Sequence, residues 1–192
     1  MGISGFIILG LLVLAAGYGV VIYNSLVALK HRVAKAWSNI DVLLKQRHDE
    51  LPKLVETCKQ YMGYEQDTLT RVIDARSQVA SAREAQDINA LGEAETRLRA
   101  GLGQLFALAE NYPELKANEA FQHLQSRISD LENGIADRRE LYNDAVNLNN
   151  IRIEQFPDLL VARPLGFKAF ELLEFADEEL ANPDLKALFR SS

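Results

Sequence analysis

Residues 3–23, opening at Ile3 and closing at Tyr23, read ISGFIILGLLVLAAGYGVVIY and carry no charged side chain. At about 1.5 Å of rise per residue, such a helix spans a hydrocarbon core roughly 30 Å thick. A buried helix of a soluble core is rarely apolar on every side for so long. The segment is therefore read as an uncleaved transmembrane anchor, residues 1–23. A signal peptide would show a basic n-region and a small-x-small cleavage site. Here no Lys or Arg precedes the run, which stays apolar past Ala15, Ala16 and Gly17 through Ile22. Met1-Gly2 begins like a myristoylation signal, but Phe6 stands where Ser or Thr is required. Ala15 and Gly19 permit close helix approach in lipid, although such pairs are ordinary in spans.

Flanking charge sets the expected orientation. Lys30, Arg32, Lys35, Lys45 and Arg47 follow the span, with Asp41 the sole acid among them. The positive-inside rule then places the N-terminus outside and the body in the cytoplasm. Residues 24–60 hold seven basic and four acidic side chains, whereas residues 61–192 hold fourteen basic and twenty-three acidic ones. Lys30, Arg32 and Lys35 are the expected headgroup contacts, since anionic lipid attracts juxtamembrane cations. A net charge of −6, without a basic stripe interleaved with aromatics, argues against nucleic acid as a partner.

The remainder is long enough for one domain with a proper core. Its five prolines are Pro52, Pro113, Pro157, Pro164 and Pro183, and glycine is sparse. The lone Cys58 excludes an intrachain disulfide and lies on an apolar stripe, which favours a packed core thiol over a catalytic one.

Four helical patterns follow. The first, residues 26–51, continues the membrane helix without Pro or Gly, so the two are expected to form one rod that Pro52 ends or kinks. The second runs over 52–85 and the third over 88–111. The fourth starts at an Asn118 cap and runs to about residue 153. Long helices with short turns predict an antiparallel up-down bundle, residues 24–157. An acidic tail, 158–192, contains FKAFELLEFADEEL, expected as a short helix. The fold class is thus all-α: a transmembrane helix continuous with a four-helix bundle, then a short helical tail.

No phosphate loop, HExxH, GxSxG or Gly-rich dinucleotide turn is present, and no catalytic residue, cofactor or metal is expected. Glu119 and His123 are four apart, but a di-metal bundle site requires ExxH elements that are missing. Asp41, Arg47, Glu65, Arg76, Glu110 and Arg139 lie on or beside apolar faces. They read either as inter-helix ion pairs that fix register or as a polar ligand site. The turn at Asn111-Tyr112-Pro113-Glu114 reads as a recognition loop or as a tight corner.

Several stretches together resemble the LemA family of bacterial membrane proteins. They are Tyr23-Asn24-Ser25-Leu26-Val27, AWSNIDVLLKQRHDELPKLVETCKQY (36–61), Glu65, LFALAENYPELKANEAFQHLQ (105–125), ENGIADRRELYNDAV (132–146) and Ile153-Glu154-Gln155-Phe156-Pro157. Gly166-Phe167 and the acidic residues 171–179 look similar to the family's end. The resemblance implies an antiparallel four-helix bundle behind one membrane span, in the bacterial inner membrane. It brings no settled activity. Some relatives are associated with membrane organelle formation, and others are thought to accompany membrane proteases. Trp37, Asp41, Arg47, Pro52, Glu65, Tyr112, Pro113, Tyr142 and Asn143 carry over as fold or interface positions. The leading expectation is a non-catalytic scaffold that engages the lipid bilayer and protein partners. The alternatives are a small-ligand receptor or enzyme using the polar set, and a homo-oligomeric membrane organiser.

Overall fold

The computed structural model describes residues 2–175. Every regular element among them is helical: α1 Ile3–Lys59, α2 Gln66–Ala85, α3 Ile88–Ala109, α4 Pro113–Lys116, α5 Glu119–Glu154 and α6 Leu159–Ala162. The chain divides into two compact units, residues 2–40 with 137–172 and residues 41–136 with 173–175, so α1 and α5 contribute to both.

The first helix corrects one expectation. Pro52 lies inside α1, which continues to Lys59. Proline has no N–H to give the carbonyl four residues back, and this loss usually breaks or kinks a helix. Here that carbonyl belongs to His48, and the Arg76 Nε donates to it at 3.0 Å. The orphaned acceptor is satisfied from α2, and the helix survives. The break falls instead at residues 60–65, around Gly63, where the Cys58 carbonyl takes both the Tyr61 and the Met62 N–H. Leu54, Val55 and Cys58 therefore belong to α1 and not to the second helix.

In the unit of residues 41–136 and 173–175, four helical segments share one apolar core. Leu44, Leu51 and Leu54 come from α1, Leu69 and Val72 from α2, Leu91, Leu98 and Leu105 from α3, and Phe121, Ile128 and Ile135 from α5. Spacings of three, four and seven put each set on one helix face. Cys58 is fully buried there, and burial pushes its thiol up to about 11. Such a thiol is packing material.

The α2–α3 turn is built on Gln86, whose φ of 54° is left-handed. The Gln86 N–H bonds the Arg83 carbonyl, and the Asp87 N–H reaches back to that of Ala82. These are the two bonds of a Schellman ending, which favours glycine at the left-handed position. Asp87 then caps α3 by accepting from the Ala90 N–H at 2.9 Å. Removing the Cβ strain at this site is worth about 1 kcal/mol, partly offset by glycine's larger unfolded-state entropy. Gln86→Gly is therefore expected to raise the urea midpoint slightly, and an unchanged or lower midpoint would contradict the strain.

Asn118 caps α5 as expected, accepting from the Phe121 N–H at 3.0 Å, and its amide also donates to the Tyr61 hydroxyl at 3.1 Å. The Asn111–Lys116 stretch is a tight corner: Pro113 starts the one-turn α4, and Leu115 is fully buried.

In the unit of residues 2–40 and 137–172, α1 packs on α5 and on the chain that follows it. The tail departs from expectation. Its short helix is α6, and residues 167–175 form none. Side chains of α5 capture this segment's backbone. Asn150 donates to the Phe170 carbonyl at 2.9 Å and accepts from the Phe170 N–H at 3.0 Å. Buried Asn149 donates to the Lys168 carbonyl at 3.3 Å, and the Tyr142 hydroxyl to that of Glu171 at 3.0 Å. These bonds replace the helical ladder. The rest of the expected tail helix, with all of residues 176–192, lies outside the described residues.

Candidate functional site

The expected span is the first part of α1, and its apolar side chains up to Val21 are exposed. This helix is long and apolar enough to cross a membrane. It continues through Asn24 and Ser25 without a break. Lys30, Arg32 and Lys35 follow on it, all exposed. Arg32 and Lys35 open onto a groove of about 410 Å³, with Asn39 beside them and Leu141, Asp144 and Leu148 opposite. Trp37 is half-buried and meets the Tyr142 ring edge-on at 5.8 Å. Arg139 and Asn143 are also half-buried in this unit.

The other unit holds a buried chain of alternating charge. Arg47 is 1% exposed and Glu95 is fully buried. The Arg47 Nη2 pairs with the Glu95 Oε1, and its Nη1 donates to the Glu132 Oε1 at 2.5 Å. The Glu132 Oε2 meets the Arg99 Nε at 3.0 Å, and the Arg99 guanidinium lies under the Phe175 ring at 4.7 Å. Burial works against the Arg47 charge, but Glu95 and Glu132 more than offset it, and the guanidinium is held above its ordinary value. The four charges sum to zero, which is the condition for tolerating them in a core. Phe175 reaches the cluster because Gly92 has no side chain: a Cβ there would overlap the Glu174 carbonyl.

The remaining expected site residues are not brought together. Asp41 faces Arg83 at 3.6 Å. The Glu65 carboxylate accepts from the Tyr112 hydroxyl at 3.4 Å. Exposed Glu110 pairs with Lys116 in the corner. Arg76 serves the His48 carbonyl, as described. Glu119 and His123 are both exposed. Glu95, Glu132 and Arg99 were missed. A signal for Glu95 existed, since it stands four residues after Leu91 and three before Leu98 on the buried face of α3. Asn149 and Asn150 carried no comparable signal.

Arg76 also donates its Nη2 to the His48 Nε2 at 2.7 Å, so that nitrogen is unprotonated and the ring is neutral. Burial and the Arg76 guanidinium lower the His48 pKa from 6.5, with Arg83 adding and Asp49 and Glu84 opposing. The unfolded chain then takes up this proton more readily than the folded one. The stability involved is fully present above pH 6.5 and is lost as pH falls through the folded value. Urea midpoints are expected to decline from pH 7 toward about 5, less so in His48→Gln, which keeps an acceptor. Identical slopes would contradict the assignment.

Comparison with known proteins supplies a family. The model of the LemA family matches residues 36–186. Magnetosome protein MamQ 2 of Paramagnetospirillum magneticum is 25% identical over 175 residues, covering 79% of this chain and 64% of its own length. Magnetosome protein MamQ of Magnetospirillum gryphiswaldense is 23% identical, with 78% and 63% covered. Protein LemA of Metamycoplasma hominis is 24% identical over 97% of this chain and 86% of its own. The chain thus spans less than two thirds of the length of the magnetosome relatives.

Proposed function

The chain belongs to the LemA family, and from that premise we propose that it is a non-catalytic scaffold anchored in the bacterial inner membrane. One observation carries this reading. The α1 helix is exposed and apolar over a bilayer's thickness, then passes unbroken into a packed helical body. Lys30, Arg32 and Lys35 hold that body against anionic headgroups on the cytoplasmic side. The acidic remainder recruits protein partners, membrane proteases or further copies of the chain among them. The relatives described as magnetosome proteins are compatible with a role at a membrane. The buried polar groups support a structural role, because Arg47, Glu95, Glu132 and Arg99 neutralise one another and Arg76 repairs a helix.

In-membrane crosslinking with mass spectrometry, on the full chain expressed in a bacterium, tests the scaffold. Reproducible crosslinks from the body to one membrane-resident protein or to a second copy are expected. Crosslinks to neither would sink it. Proteolysis of the body in inverted vesicles but not in intact spheroplasts is expected for the stated orientation, and the reverse pattern would overturn it.

A further inference from the structure

Ile22 is the first residue of α1 to be buried, at 5% exposure. Ile153 and Ala162 cover it together with Leu26, and Val161 and Phe167 pack on the same cluster. The neighbouring Tyr23 ring meets Phe167 edge-on at 5.9 Å, and the Arg152 Nη2 donates to the Ser25 hydroxyl at 3.2 Å. The turn that follows α5 is thus fastened to α1 where the apolar run ends. Twenty helical residues from Ile3 reach about 30 Å, the thickness of a hydrocarbon core. A bilayer that takes up residues 3–21 therefore arrives at this turn.

The turn is made for such a place. On its outer side Phe156 is 79% exposed, Leu160 64% and Leu165 57%. Among residues 155–168 the one carboxylate is directed inward. Asp158 is buried, pairs with Arg152, and accepts from the Gln155 amide at 3.0 Å. The N–H groups of residues 159–163, 166 and 167 all bond to carbonyls within the turn. Gly166, at φ 71°, closes a Schellman ending in which the Phe167 N–H reaches the Ala162 carbonyl at 3.1 Å. That ending returns Phe167 onto Tyr23. A backbone whose N–H groups are mostly satisfied internally, with apolar side chains outside, suits a medium that offers few hydrogen bonds. Arg163 and Lys168 are exposed at the same turn, with the exposed acids Glu154 before it and Glu171 after it.

We propose that this turn is a second membrane contact. Phe156, Leu160 and Leu165 enter the boundary between headgroups and acyl chains beside the end of the span. Arg163 and Lys168 meet lipid phosphates there. The contact rests on the reading of α1 as a span, and it fixes the rotation of the helix as well as its depth.

The test uses the full chain in phosphatidylcholine–phosphatidylglycerol vesicles. An environment-sensitive fluorophore is attached in turn to Val13→Cys, Leu160→Cys and Tyr64→Cys. Cys58 remains, since it is buried and does not compete for label. Lipids with doxyl groups near the carbonyl end of the acyl chain serve as quencher for position 160, and lipids with doxyl groups near its methyl end for position 13. Quenching is expected at positions 13 and 160 and not at 64, which is 98% exposed in the other unit. Adding Phe156→Asp and Leu165→Asp is expected to cut quenching at 160 by about two-fold or more while leaving position 13 unchanged. Quenching at 13 with a fully aqueous probe at 160 would overturn the second contact alone. A probe at 13 that lipid does not quench would overturn the span, and the second contact with it.

Discussion

Arg47→Met is expected to cost about 3–5 kcal/mol of stability, the usual consequence of stranding a buried charge. The charge left behind is that of Glu95, which is fully buried and has Arg47 as its ion-pair partner. Glu132 suffers less, because it is 18% exposed and keeps Arg99. The effect therefore belongs to Glu95, and removing that carboxylate as well is expected to reverse most of it. Arg47→Met with Glu95→Leu restores an apolar layer between α1 and α3, and such replacements are often neutral or stabilising. The native arrangement is not an optimum, since the Arg47 Nε and the Glu95 Oε2 have no hydrogen-bond partner among the described residues. Urea unfolding of the full chain in detergent, followed by helical circular dichroism, reads both variants. A double variant as unstable as Arg47→Met would show that volume or register, and not stranded charge, sets the cost.

The cluster also shows what local sequence rules can and cannot reach. The helices were legible because a buried face repeats every three or four residues, and the Asn118 cap because its side chain acts three residues away. Arg47 stood out as a charge on an apolar stripe. Its partners lie 48 and 85 residues further on, and no local pattern pairs them. The tail failed for the same reason. FKAFELLEF has helical periodicity, but its backbone bonds go to Asn149, Asn150 and Tyr142 on α5, an arrangement that exists only after α5 has folded. Pro52 does not end α1, although a proline in isolation ends or kinks helices, because an arginine on another helix serves the carbonyl it strands.

That contribution can be measured. Arg76→Met is expected to destabilise the chain by about 1.5–3 kcal/mol, the usual worth of a hydrogen bond to a charged group. The bond at stake is the 3.0 Å contact from the Arg76 Nε to the His48 carbonyl. In Pro52→Ala the helix regains its own N–H at position 52 and satisfies that carbonyl itself. Arg76→Met in this background is then expected to cost measurably less, since the stranded acceptor has gone. The difference between the two costs is a coupling energy between residues 52 and 76, which a double-mutant cycle isolates. What persists in the Pro52→Ala background is the second contact, from the Arg76 Nη2 to the His48 ring at 2.7 Å. The two parts separate by pH, because protonating His48 removes the ring acceptor and leaves the carbonyl untouched. Equal costs in both backgrounds would mean that Arg76 acts through the imidazole or its stem. Some other feature would then have to explain why α1 passes through a proline without ending.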